Sequence, residues 1–236
     1  MESVARSKKG DIRSREVNLL SSLPKPKRNI QKRLDAKDPE IIKIARQFGQ
    51  MYWDGPREYG YGGYKYDGRW KPVAHDIIAF FELKEGTKIL DIGCGKGFLL
   101  HDLVVEGKAM GKNFDVCGMD ISAYAIEHSL PEIKDRLRLG DAREKLPFED
   151  KSFDLVLSIN TLHNLTRPLL AKALSEIERV SCGDSYIVVD SYHTPEQKEI
   201  FESWVLTAEF YGYPDEWLAL FKEAGYKGFY SWTIIE

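Results

Sequence analysis

The residues able to do chemistry gather at a few points of the 236-residue chain. An apolar run from Lys88 to Ile92 leads straight into Gly93-Cys-Gly-Lys-Gly97, with glycines at alternate positions. Glycine reaches backbone angles closed to other residues and lets a ligand approach the main chain with no Cβ in the way. Nucleotide loops use the same physics, but their G-x-G-x-x-G spacing is built around a pyrophosphate. Here the spacing is G-x-G-x-G, and Asp91 stands at the strand end, where a carboxylate repels phosphate and attracts an ammonium. The next strand ends in Asp120, 29 positions after Asp91, where a dinucleotide fingerprint carries its acid after about 20. A ligand with an ammonium, a ribose diol and no phosphate fits these details. S-adenosylmethionine (SAM), which also carries a sulfonium, is such a ligand.

Further elements follow in a telling order: Val116-Cys-Gly-Met-Asp120, Gly140-Asp-Ala142, Leu146-Pro-Phe148 and Ser152-Phe-Asp-Leu-Val156. Together with Ile89–Gly97 they resemble the class I SAM-dependent methyltransferase superfamily over about residues 85–190. The resemblance implies SAM as cofactor, with Asp91 near its methionine ammonium and Gly93, Cys94, Gly95 and Gly97 presenting backbone to the methionine part and ribose. It implies that Asp120 accepts from both ribose hydroxyls, as a forked carboxylate can. Asp141 would accept from the adenine amino group, Ala142 would read the ring edge through its backbone, and Ile121 would pack on the adenine face. Lys96 reads as a solvated loop residue. No metal site is expected.

Methyl transfer is an in-line displacement, so the protein chiefly aligns acceptor, methyl and sulfur and removes a proton where the acceptor needs it. In the family, the tip of the fourth strand, here Ser158-Ile-Asn-Thr-Leu-His-Asn164, faces that spot. Asn160 is a candidate to orient a polar acceptor or to bond the SAM amino-acid end. His163, with an unperturbed pKa near ~6.5, is the candidate general base, beside the alternative of an ordinary core histidine. The run lacks the Asn/Asp-Pro-Pro-aromatic pattern of adenine-N6 enzymes. Tyr192 and His193, after the fifth strand, are candidates for the catalytic wall and acceptor pocket, and Asn164 for acceptor contact. Between Tyr52 and Trp70 lie seven aromatic residues and five glycines. Tyr61, Tyr64 and Tyr66 suggest a lid whose rings meet a cation and whose glycines permit closure. Arg57, Lys65 and Arg69 offer a grip on an anionic group. The alternative is an aromatic plug over the sheet edge.

Short apolar strands at 88–92, 114–119, 137–139, 153–159 and 186–189 alternate with helical patterns near 98–104, from 123 and at 167–180. That alternation predicts an α/β, Rossmann-like domain: a mostly parallel sheet of six or seven strands with helices on both faces. Ligands then sit at the carboxyl ends of the strands. Helices are also expected at 39–52, 71–84 and 214–224, with a last strand at 229–235. The family core ordinarily ends in two antiparallel strands after the last helix, and here either residues 204–210 supply the missing one or the sheet is a strand short.

The chain divides into a disordered basic arm (1–28), a helical and Tyr/Gly-rich lid segment (29–84) and a SAM-binding catalytic domain (85–236). Residues 1–47 hold thirteen Lys and Arg against six Asp and Glu, and the remainder 21 against 31. An acidic main domain argues against a large nucleic-acid substrate, although the arm itself could touch RNA. Three cysteines, no signal-peptide pattern and no apolar run of membrane-spanning length point to a cytoplasmic protein without membrane partners. The expected function is methyl transfer to a small-molecule acceptor. Two other readings stay open: SAM-dependent aminocarboxypropyl transfer or cyclisation releasing methylthioadenosine, and a non-catalytic SAM-binding module. A homodimer is compatible with the sequence but not legible in it.

Overall fold

A computed structural model describes residues 11–24 and 28–236. The helices are α1 (Ile30–Ala36), α2 (Pro39–Ala45), α3 (Gln50–Trp53), α4 (Lys71–Phe80), α5 (Phe98–Ala109), α6 (Ala123–Glu127), α7 (Pro131–Lys134), α8 (Arg167–Val180), α9 (Pro195–Trp204) and α10 (Pro214–Glu223). The strands are β1 (Lys88–Ile92), β2 (Asp115–Asp120), β3 (Leu137–Leu139), β4 (Phe153–Ile159), β5 (Ser181–Ser191) and β6 (Phe229–Ile234). They form one sheet in the order β3-β2-β1-β4-β5-β6, every neighbouring pair parallel. Strand order reverses between β1 and β4, and their carboxyl ends frame the crevice where such sheets take ligands.

Alternation along the strands sorts the core onto two faces. Ile89, Val116, Leu155, Leu157, Tyr186 and Val188 pack with Val73, Ile77 and Ile78 of α4 and Leu99, Leu100 and Leu103 of α5. Leu90, Ile92, Val156, Ile187 and Val189 point the other way, onto α8 (Leu170, Leu174, Ile177) and α10 (Trp217, Leu220, Phe221). Helix starts are built into the sequence: proline opens α8, α9 and α10 within the first two positions, where a missing N–H is harmless.

Three expectations are corrected. The region 204–210 forms no strand: α9 ends at Trp204, and β6, the last strand, pairs with β5 directly and in parallel. The helix expected over 39–52 is two helices, because Phe48 takes a left-handed conformation (φ 50°) and breaks the run. Residues 11–24 belong to the body of the protein. Glu16 bridges to Tyr230 of β6, Val17 N–H donates to the Tyr230 carbonyl (2.9 Å), and Leu19 is buried against the α4–α5 face. The Tyr186 hydroxyl ties this seam down, donating to the Val17 carbonyl and accepting from Leu19 N–H. The rest of the expected arm, 1–10 and 25–27, lies outside the described residues. Among the described residues no helix is long and apolar enough to cross a membrane.

Candidate active site

The strand tips enclose a cavity of about 320 Å³. Its sheet side is Ile92-Gly93 after β1, Asp120-Ile121 after β2, Gly140 to Arg143 after β3, and Ile159 to Thr161 with Asn164 and Leu165 after β4. Phe48, Tyr52, Trp53 and Tyr61 cover it, and Arg46, Thr207 and Glu209 close one side. A second chamber of about 60 Å³ shares Gly93, Trp53, Tyr61 and Asn160 and adds Asp91, Gly95, Tyr64 and Trp70.

Close packing explains the glycines. Gly93 and Gly95 both have positive φ (79° and 55°), and a Cβ on Gly93 would lie 2.0 Å from Thr161 Oγ1. Asp120 is 7% exposed and accepts from the Gly95 N–H (2.7 Å) and the Ser122 N–H (2.8 Å). Burial pushes its pKa up against the pull of these donors. Its role is not that of a helix cap, since Ser122 Oγ caps α6 by accepting from Ala125 N–H. Asp91, 4% exposed, receives no hydrogen bond on its carboxylate among the described residues, and burial with the nearby Asp120 pushes its pKa up to about 7. An orphaned carboxyl facing four aromatic rings suits one kind of group, a cation that the rings also favour. Asp141 lies in the cavity wall with Arg143 forked onto its carboxylate (2.9 and 2.8 Å), which holds its pKa below the usual range.

At the tip of β4, Asn160 adopts φ 53° and its Oδ1 accepts from the Thr233 hydroxyl (2.7 Å). Asn164 also lines the cavity, and its enclosed Oδ1 has no partner among the described residues. His163 turns away. Its Nδ1 accepts from Asp190 N–H (3.1 Å) and its Nε2 lies 3.3 Å from the Asp190 carboxylate, so both ring nitrogens are engaged. Burial lowers its pKa, keeping the imidazole neutral. This is the core histidine, not the base expected at the cavity wall. Tyr192 is 3% exposed in a separate cluster with Phe201, Ala208 and Ile235. His193 is exposed at the start of α9, its N–H donating to Gln197.

The lid residues divide in the same way. Tyr61 lines both chambers and Tyr64 the smaller one. Tyr66 points outward from them and donates to Asp102 on α5 (2.6 Å). Arg69 is exposed and forked onto Asp67. Arg57 donates to the carbonyls of Gly60 and Tyr61, so its guanidinium shapes the lid rather than offering a grip. Lys96, expected in solvent, is 4% exposed and paired with Asp54 at 2.7 Å. Phe48, Tyr52, Trp53, Arg46, Thr207 and Glu209 line the cavity in addition to the residues expected from the sequence. Tyr52 and Trp53 belong to the aromatic run and were visible there. Thr207 and Glu209 carried no signal, since the Glu209 N–H reaches the wall by donating to the His163 carbonyl (2.9 Å).

Residues 83–225 match a family model described as a methyltransferase domain. The chain belongs to the SAM-dependent class I methyltransferases. Membership implies SAM, and the buried Asp91 and Asp120 at the glycine loop fit its ammonium and ribose. Among solved structures it resembles a Haloferax volcanii methyltransferase in complex with the Trm112 methyltransferase activator (25% identity, TM-score 0.53, 66% of this chain and 67% of that one). A SAM-dependent methyltransferase from Archaeoglobus fulgidus is similar at 25% identity and TM-score 0.50, over 66% of each chain. Curated relatives include sterol 4-C-methyltransferase strm-1 of Caenorhabditis elegans (31% identity, 64% of this chain, 44% of that protein). The ubiquinone/menaquinone C-methyltransferase UbiE of Campylobacter jejuni matches at 27%, over 65% and 63%. A mouse protein named as the mitochondrial arginine-hydroxylase NDUFAF5 matches at 29%, over 64% and 40%. The matches thus span two-fifths to just under two-thirds of these relatives' lengths.

Proposed function

We propose that this methyltransferase transfers the SAM methyl group to a small-molecule acceptor held under the aromatic lid. One observation carries the reading. One partly open cavity joins the cofactor-side acids Asp120 and Asp141 to an apolar, hydroxyl-bearing cover of Phe48, Tyr52, Tyr61 and Thr207.

Bound SAM supplies a methyl already activated on a sulfonium. The chain's part is to bind and to align. Asp120 takes the ribose hydroxyls, Asp91 takes the ammonium, and Asp141 with the Ala142 backbone takes the adenine edge. Ile121, 42% exposed, covers the ring. Asn160, in the wall common to both chambers, lies where the methionine arm and acceptor meet. Burial pushes the phenols of Tyr52 and Tyr61 above their ordinary pKa. They therefore stay protonated, donate hydrogen bonds to the acceptor and keep water out. With His163 turned away, proton removal at the acceptor does not run through that imidazole.

Calorimetric titration with S-adenosylhomocysteine (SAH) tests the cofactor half. A folded protein that leaves SAH unbound would sink it. Mass spectrometry of turnover with SAM and a panel of small acceptors tests the reaction. SAH as by-product supports methyl transfer, whereas methylthioadenosine would replace it with aminocarboxypropyl chemistry.

A further inference from the structure

Lys96 stands in the middle of the glycine loop, yet it is directed away from the chambers. Its ammonium donates to both oxygens of Asp54 (2.9 and 2.7 Å) and to the Tyr64 carbonyl (2.9 Å). Three donors, three acceptors: the ammonium is fully satisfied, as a cation with its side chain 5% exposed must be. Asp54 in turn accepts from the Tyr124 hydroxyl on α6 (2.9 Å) and from the Tyr64 N–H (3.1 Å). Burial works to raise its pKa, but the donors from Lys96 and Tyr124 outweigh it and keep the carboxylate ionised. Both acceptor residues, Asp54 and Tyr64, belong to the lid. One cation thus joins the cofactor loop, the lid and the helix after β2.

The junction bears directly on the cavity's cover. Asp54 follows Trp53, whose indole is stacked on Tyr61 (5.2 Å, 4° between planes), and Tyr61 in turn meets Tyr64 at 4.6 Å. Trp53 and Tyr61 line both chambers. Fixing Asp54 and Tyr64 therefore fixes the rings between them.

We propose that the Lys96–Asp54 ion pair is a latch through which the cofactor loop holds the acceptor-side lid in place. Lys96 is then a positioning residue, acting on the acceptor pocket through the lid and not by contact with either substrate. The coupling runs both ways, because linked equilibria are reciprocal. A ligand that orders the Gly93–Gly97 loop steadies the lid, and a steady lid tightens cofactor binding. The coupling half rests on the SAM-binding reading above; the latch itself does not.

Hydrogen exchange of the full chain separates the two. In Asp54→Asn without ligand, amides of 52–66 should exchange about tenfold faster or more, as loss of a charged partner from an enclosed pair implies, while β4 and β5 stay protected. Unchanged exchange in 52–66 would overturn the latch. Added SAH should slow these lid amides in the wild type and slow them much less in Asp54→Asn at saturating SAH. Equal protection in both proteins would overturn the coupling and leave Lys96 a structural residue. If the wild type binds no SAH, the coupling falls with the cofactor reading, and the ligand-free comparison still decides the latch. Should Asp54→Asn lose protection throughout the sheet, Tyr124→Phe, which removes one hydrogen bond to the same carboxylate, should speed lid exchange by a smaller factor. No change there would overturn the latch.

Discussion

The Trp53 indole lies against Gly95, so closely that a Cβ on that glycine would come within 2.8 Å of the ring. Its Nε1–H is shared between the Phe48 carbonyl and Ser122 Oγ, both at 2.9 Å, so the ring has no easy retreat. Gly95→Ala therefore meets two penalties, the clash and a left-handed backbone (φ 55°), together about 1–3 kcal/mol. The substituted protein should still fold, with a lower denaturation midpoint, and SAH affinity measured by calorimetry should fall at least tenfold. Wild-type affinity in a folded Gly95→Ala would contradict the close packing.

Asp91 yields a pH prediction. Its folded-state pKa is raised to about 7 against about 3.9 unfolded, so the folded chain binds the extra proton. Stability from this group is present at low pH and declines as pH rises towards 7. Ligand binding should run the opposite way. An ammonium pairs with the ionised carboxylate, so SAH affinity should climb as pH rises through about 7 and level off about one unit higher, once the carboxyl is fully ionised. Titration calorimetry from pH 5.5 to 8.5, over the range given by these values, should show the rise in the wild type and a flat, weaker profile in Asp91→Asn. Adenosine, which lacks the ammonium, should bind both proteins alike.

The cofactor half of the site was legible because it is local. Asp91, the glycines and Asp120 sit at the ends of two short apolar strands, and strand, turn and acid follow one another within single stretches of chain. What failed to show depends on partners far away in sequence. Lys96 reads as a solvated loop cation until Asp54, 42 residues earlier, is brought beside it. His163 reads as a base until Asp190 occupies both its nitrogens. The lid was visible as composition, but which rings face inward is set by the Phe48 break and by the Trp53–Ser122 hydrogen bond, neither of which has a periodic signature. Residues 11–24 misled through their charge. Val17, Leu19, Leu20 and Leu23 are sparse among polar neighbours, and only the folded α4–α5 face and the outer edge of β6 give them a surface to cover.

The His163–Asp190 contact predicts a structural phenotype. Asp190 is buried, and apart from the desolvation that raises its pKa, the largest influence on its carboxyl is His163. His163→Ala removes the neutral imidazole's hydrogen bond to that enclosed carboxyl and leaves a cavity, at a cost of about 2–4 kcal/mol, measurable as a lower midpoint in urea. Since neither ring nitrogen reaches the cavity, SAH affinity in the folded variant should stay within about threefold, under 1 kcal/mol. A large loss of affinity with unchanged stability would return His163 to the site.

Asp120 should show the reverse, a binding phenotype that outweighs the structural one. Its carboxylate is already held by the Gly95 and Ser122 N–H groups, which fix its fork towards the cavity. Asp120→Ala frees both donors, but the loop keeps the Gly93 N–H bond to the Met119 carbonyl (2.7 Å) and α6 keeps its Ser122 cap. The fold should survive with a loss of about 1–2 kcal/mol. Two charge-assisted hydrogen bonds to a ribose diol are worth about 3 kcal/mol or more, so SAH affinity should drop at least about 100-fold. Adenosine should lose as much, because it presents the same diol. That sets Asp120→Ala apart from Asp91→Asn, which spares adenosine, and the two-ligand, two-variant comparison assigns each acid to its own end of the cofactor. Equal losses for both variants with both ligands would instead mean that the acids act together on the loop, and not on separate groups of the ligand.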